Sequence, residues 1–181
     1  MSIDPELAQR LEAVRILVLD VDGVLTTGAI TYGDDGSETK SFNVKDGLGL
    51  RLLMDSGVGV AVITGRRSEA LAHRCRDMGI AIVRQAIKDK AGVFQTILEQ
   101  NGLSVDQAAV VGDDLPELSL MRRAGLAVAV ADAHPLVQQA AHWVTPAPGG
   151  CGAVRQVCEL ILQAQGAWDR IVSRYGAGVS G

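Results

Sequence analysis

The sequence predicts an α/β protein on a doubly wound parallel sheet with a small β-hairpin insertion, and three observations carry that expectation. Short apolar runs with no polar alternation recur along the chain, as strands covered by helices on both faces do. Between them lie amphipathic segments closed by glycine, at the spacing of crossover helices. Aromatic residues make up 3% of the chain against 48% apolar residues and 21 glycines, so packing is aliphatic and connections are tight, which suits α/β better than all-β architecture.

Taken in order, Asp4-Pro5-Glu6 reads as a helix start, with Asp4 as cap and the helix ending before Arg15. Ile16-Leu17-Val18-Leu19 is a buried strand running into Asp20-Val21-Asp22-Gly23. Residues 28–43 read as the hairpin, around the turn Asp34-Asp35-Gly36-Ser37. Asp46 is expected to cap a helix carrying Leu48, Leu50, Leu52, Leu53 and Met54, closed at Gly57. A second buried strand, 58–63, ends at Thr64-Gly65-Arg66, a helix runs from about Ser68 to Met78, and 80–83 is a third strand. Asp89 caps a helix to Asn101-Gly102, and Ser104-Val105-Asp106-Gln107 has the capping-box pattern. Residues 108–111 form a strand that ends at Gly112-Asp113-Asp114. Pro116 opens a helix toward Gly125, 126–130 is a fifth strand, His134-Pro135 opens a short helix, and Trp143-Val144 is an edge strand. The stripe Val154, Val157, Cys158, Ile161, Leu162 marks a closing helix, and residues 175–181 read as a flexible tail.

A chain of 181 residues fits one domain with a substantial core. The net charge of −4 and the dispersed Lys and Arg argue against a nucleic-acid partner, and no apolar run approaches the length of a membrane span. The N-terminus lacks the basic and apolar segments of a signal peptide, so a cytoplasmic protein is expected. Cys75, Cys151 and Cys158 are odd in number and lack paired metal spacing, which favours reduced thiols. His73, His134 and His142 have no ligand spacing either.

Several polar residues follow the apolar runs directly: Asp20 and Asp22, Thr64, Asp113 and Asp114, and Asp132. Ligands of open parallel sheets bind outside the carboxyl ends of the strands, so these residues are expected to converge. Asp22-Gly23 alone could be a solvated turn. The full set instead suits a metal-assisted phosphoryl-transfer site, because carboxylates without His or Cys favour a hard cation such as Mg²⁺ completed by substrate phosphate. Thr64 and the backbone near Gly65 can donate to phosphate oxygens, and Lys90 can bring a positive charge to the same edge; the bland alternative for Lys90 is a solvated helix residue.

The order Asp-x-Asp-Gly, Thr-Gly-Arg, Lys, Gly-Asp-Asp resembles the haloacid dehalogenase-like phosphohydrolase superfamily, over residues 16 to 120. Within it, Asn43-Val44-Lys45-Asp46-Gly47, Val130-Ala131-Asp132-Ala133-His134-Pro135 and Gly149-Gly150-Cys151-Gly152-Ala153-Val154-Arg155 resemble the 3-deoxy-D-manno-octulosonate 8-phosphate phosphatase family. That resemblance implies the Rossmann-like fold of the superfamily without a separate cap domain. It implies Mg²⁺-dependent hydrolysis of the sugar-acid phosphate in lipopolysaccharide precursor synthesis. Asp20 would be the nucleophile and Asp22 the proton donor and acceptor. Mg²⁺ would be held by Asp20, the main-chain carbonyl of Asp22, and Asp113. Phosphate would meet Thr64, Gly65 and Lys90, while Asp114 and Glu117 would stand behind the metal ligands. Cys151 departs from the basic residue that related sequences can carry.

Related phosphatases form homotetramers in which neighbouring subunits complete the pocket, so a homotetramer is the implied assembly. Arg66 and Arg74 are candidates for the substrate carboxylate, Arg74 from an adjacent subunit, against the alternative of a solvated helix face with surface ion pairs. A nonulosonate 9-phosphate phosphatase is an alternative of the same chemistry. A receiver-type phosphoacceptor module is an alternative of another class.

Overall fold

The computed structural model describes residues 4–176. Six parallel strands form the sheet: β1 Ile16–Leu19, β4 Gly59–Ile63, β5 Ile82–Arg84, β6 Ala108–Gly112, β7 Leu126–Ala129 and β8 Trp143–Val144, in the order β5-β4-β1-β6-β7-β8. The hairpin strands β2 Thr31–Tyr32 and β3 Glu38–Thr39 pair only with each other, antiparallel. Strand β1 lies between β4 and β6, with Ile16 in register with Gly59 on one side and Ala108 on the other. From β1 the chain winds outward through β4 and β5, then returns to β6 and winds the other way. The switch point therefore falls at β1, where such sheets open a crevice at their carboxyl edge.

The helices are α1 Pro5–Ala13, α2 Val44–Asp55, α3 Glu69–Met78, α4 Lys90–Asn101, α5 Leu118–Met121, α6 Pro135–Ala140, α7 Ala153–Ala164 and α8 Trp168–Arg174. Helix α7 packs on α1 and α2, and α2 on α3, as one layer; α4, α5 and α6 pack in succession as the other. The core between is aliphatic. Leu17, Val62, Val111 and Leu126 are fully buried, and Phe94 is the one aromatic residue among the large buried side chains. Each fully buried aliphatic side chain contributes about 1.5–3 kcal/mol.

Local corrections have physical causes. Asp46 is not the cap of α2. Asn43 is, its side chain accepting from Lys45 N at 2.8 Å, while Asp46 turns inward and accepts from Arg155 N at 2.7 Å. It thereby caps α7, whose own N-cap is Gly152 and has no side chain to offer. The third strand begins two residues later than expected, because its ladder starts at Ile82 opposite Ala61, and it ends one residue later, at Arg84. The segment after Pro116 opens as a 3₁₀ turn, Leu115–Glu117, before α5. Helix α8 was not anticipated, and it packs on α7. Of the tail expected to be flexible, Tyr175 and Gly176 form a turn and residues 177–181 lie outside the described residues.

Candidate active site

The carboxyl edge of β1 and its two neighbours builds the site. The Asp20 amide continues the ladder by donating to Val111 O at 3.3 Å, which plants its carboxylate at the strand mouth. The next turn folds back on itself, with the amides of Leu25 and Thr26 donating to Val21 O at 2.9 and 3.0 Å. Gly23 in that turn has φ +94°, and a Cβ there would lie 2.0 Å from Asp113 Oδ2, so only glycine lets Asp113 approach the loop. Lys90 is the first residue of α4, beyond its cap Asp89, and its Nζ donates to Asp20 Oδ1 at 2.6 Å and pairs with Glu117. Glu117 is held in turn by the amide of Asp114, which donates to its Oε2 at 3.3 Å.

A cavity of about 430 Å³ opens over these groups, and Asp20, Asp22, Thr64, Gly65, Arg66, Lys90, Asp113, Asp114 and Glu117 all line it. Two loops are laced together at its wall. Thr64 N donates to Arg84 O at 2.9 Å, Ile87 N to Thr64 O at 3.0 Å, Ala86 N to Arg66 O at 3.1 Å, and Ser68 N to the side chain of Gln85 at 2.7 Å. Ala86 takes a left-handed φ of 58° to make this turn. The lacing sets the buried Thr64 and the backbone of Gly65 beside the approach to Lys90.

Carboxylate oxygens of Asp20, Asp113 and Glu117 lie within 4.8 Å of one another. Burial pushes Asp20 up to about 6 against the pull of Lys90, with Glu117 adding to the rise. Burial, then repulsion from Asp20, Glu117 and Asp114, pushes Asp113 up to about 7. Burial works against the charge on Lys90, but Asp20 and Glu117 outweigh it and raise its pKa. Three acids against one buried ammonium leave excess negative charge. An all-oxygen donor set with that charge fits a hard divalent cation.

Other candidates fall elsewhere. Asp132 does not line the cavity; its Oδ1 accepts from Gly149 N at 2.9 Å and pins the 149–152 loop, where a Cβ on Gly149 would lie 1.6 Å from Gly23 O. Arg74 lies away from this chain's cavity, donating to Asn43 O at 3.3 Å and standing over the Phe42 ring at 5.9 Å. Sequence reasoning missed Lys40, which pairs with Asp22, and Glu38, which pairs with Lys40 and with Arg66. Its only signal was charge on a hairpin whose fold-back toward β1 is set by tertiary contacts.

The family model of haloacid dehalogenase-like hydrolases matches residues 77–154. The 3-deoxy-D-manno-octulosonate 8-phosphate phosphatase KdsC of Salmonella typhimurium is 45% identical over 167 residues, covering 92% of this chain and 89% of that protein. The crystal structure of 3-deoxy-D-manno-octulosonate 8-phosphate phosphatase from Yersinia pestis superposes with a TM-score of 0.90 at 44% identity, covering 92% of this chain and 90% of that one. The Moraxella catarrhalis phosphatase, in complex with magnesium, phosphate and KDO, superposes at 0.92 with 38% identity, covering 94% of this chain and 98% of that one. The comparisons favour neither the nonulosonate 9-phosphate alternative nor the signalling module. With identity of this level along nearly the whole chain and the same sheet beneath it, the chain belongs to the 3-deoxy-D-manno-octulosonate 8-phosphate phosphatase family of haloacid dehalogenase-like hydrolases.

Proposed function

We propose that this chain is a Mg²⁺-dependent phosphatase that hydrolyses 3-deoxy-D-manno-octulosonate 8-phosphate to the free sugar acid and phosphate through an aspartyl-phosphate, in lipopolysaccharide precursor synthesis. One observation carries the reading: the Asp20 carboxylate, bonded to Lys90 beside Asp113 and Glu117, opens onto a cavity whose wall carries Thr64 and Gly65. Asp20 attacks phosphorus while Asp22 gives a proton to the departing sugar oxygen. Water then attacks the aspartyl-phosphate as Asp22 takes its proton, which releases phosphate and restores Asp20. Thr64, the Gly65 amide and Lys90 meet the phosphoryl oxygens, where charge develops.

Asp20, Asp113 and the main-chain carbonyl of Asp22 would hold Mg²⁺, with Asp114 and Glu117 supporting them; the ion supplies positive charge to the transferring phosphoryl group. Arg66, on the cavity wall, suits the substrate carboxylate. Arg74 serves that role only from an adjacent subunit of a homotetramer. Tyr32 on the hairpin and Val44 on α2, 61% and 77% exposed, are apolar surface that such an assembly would cover. Among the described residues no helix is long and apolar enough to cross a membrane, and the reading places the enzyme in the cytoplasm.

Phosphate release with Mg²⁺ tests the substrate. The kcat/KM for octulosonate 8-phosphate is expected to exceed that for nonulosonate 9-phosphates by about tenfold or more, a margin of about 1.4 kcal/mol. Equal values would defeat the assignment. Gly23→Ala, which sets a Cβ on the Asp113 carboxylate, is expected to lower kcat/KM about a hundredfold and raise the Mg²⁺ concentration for half-maximal rate, read from a metal titration.

A further inference from the structure

The hairpin brings to the rim a set of charges that the chemistry above leaves without a task. Lys40 pairs with Asp22 Oδ1, with its side chain 1% exposed and Glu38 Oε1 3.5 Å from its Nζ. Glu38 Oε2 accepts from Arg66 Nη2 at 2.9 Å, the same nitrogen donates to the Tyr32 hydroxyl at 2.8 Å, and Arg66 Nε lies 3.9 Å from Asp22 Oδ2. Two cations and two anions thus close a balanced network that ties both hairpin strands to Asp22. Asp22 and Arg66 line the cavity, whereas Lys40 does not. Lys40 therefore reaches the cavity directly through Asp22, and otherwise only by way of Glu38 and Arg66.

Asp22 sits on a turn, and a carboxylate there has rotamers to choose among unless something holds it. A proton donor works only within hydrogen-bond reach of the atom it serves. A charge-assisted bond to one oxygen removes the freedom of the other, and that bond survives proton transfer, since the carbonyl oxygen of a protonated carboxyl still accepts from an ammonium. We infer that Lys40 is a positioning residue for proton transfer: by holding Asp22 through Oδ1, it makes Oδ2 the oxygen that exchanges the proton. In the first step the Asp20 oxygen–phosphorus bond forms, the bond from phosphorus to the sugar oxygen breaks, and the Oδ2 proton passes to that oxygen. In the second the water oxygen–phosphorus bond forms, the Asp20–phosphorus bond breaks, and the water proton returns to Oδ2.

This rests on the reading of Asp22 as proton donor, and leaving-group dependence tests the two separately. A sugar alkoxide needs a proton to leave, whereas p-nitrophenolate leaves without one. Lys40→Met is expected to lower kcat/KM, which reports only formation of the aspartyl-phosphate, about ten- to a hundredfold for octulosonate 8-phosphate with KM within about threefold, and by less than about threefold for p-nitrophenyl phosphate. Turnover of the phenyl ester also reports that the variant is folded. Lys40→Arg, which keeps a charged donor, is expected to recover most of the loss. Asp22→Asn must show the same selectivity at larger size. If it does and Lys40→Met lowers both esters equally, or neither, Lys40 does not position Asp22 and the reading of Asp22 stands. If Asp22→Asn itself fails to discriminate, the proton-donor reading falls and the inference with it. Should Lys40→Met not fold, Glu38→Gln carries the test: a smaller loss of the same selectivity with KM for octulosonate 8-phosphate within about threefold supports the inference, and equal loss on both esters, or a loss carried by KM through Arg66, overturns it.

Discussion

Asp20→Asn is expected to lower Mg²⁺-dependent phosphate release from octulosonate 8-phosphate by about 10⁴-fold or more, the order lost when a nucleophile is removed from an assembled site. The amide keeps the shape of the side chain but offers no anionic oxygen to phosphorus. Stability should move the other way. Buried Asp20 has its carboxylate opposed by burial and by Glu117, and Lys90 retains Glu117 when Asp20 becomes neutral. The variant is therefore expected to melt no lower than the parent in metal-free buffer at pH 8, by differential scanning calorimetry. Wild-type turnover in this variant would remove Asp20 from the role of nucleophile. A large fall in melting temperature would contradict the electrostatic account of the site.

Stripping the divalent cation with a chelator is expected to lower turnover about a thousandfold, the order that several kcal/mol of lost charge stabilisation implies. The same site sets a pH dependence in the metal-free protein. Asp20 and Asp113 bind protons more tightly folded than unfolded, their pKa values rising from 3.8 to about 6 and about 7. Their contribution to stability is full below about pH 4 and is lost as pH rises through about 6 for Asp20 and about 7 for Asp113. If these oxygens hold the cation as proposed, protons compete with it, and Mg²⁺ should stabilise more at pH 8 than at pH 5.5. At a hundredfold excess over Kd the gain is about 2.7 kcal/mol, or roughly 5–10 °C in melting temperature. An equal shift at both pH values would exclude Asp20 and Asp113 as the groups that hold the ion.

The sheet and its carboxyl edge are legible in the residues alone, because buried parallel strands are unbroken apolar runs and the residue after each run must emerge at the same rim. Asp20, Thr64 and Asp113 were legible for that reason, and Lys90 followed from the cap Asp89 that starts its helix. Where a residue's partner lies far along the chain, spacing carries no signal. Asp46 looked like a helix cap and instead caps α7, more than a hundred residues on. Asp132 looked like a rim acid and instead pins the loop at Gly149. Glu117 lies in a 3₁₀ turn, and its carboxylate meets Asp20 across the Lys90 ammonium, a pairing that spacing does not record. Lys40 and Glu38 became visible only once the hairpin's place over Asp22 was known. Periodicity records which side of an element is buried; which charge meets which is decided by packing between elements, and that is where the ion pairs around Asp22 are set.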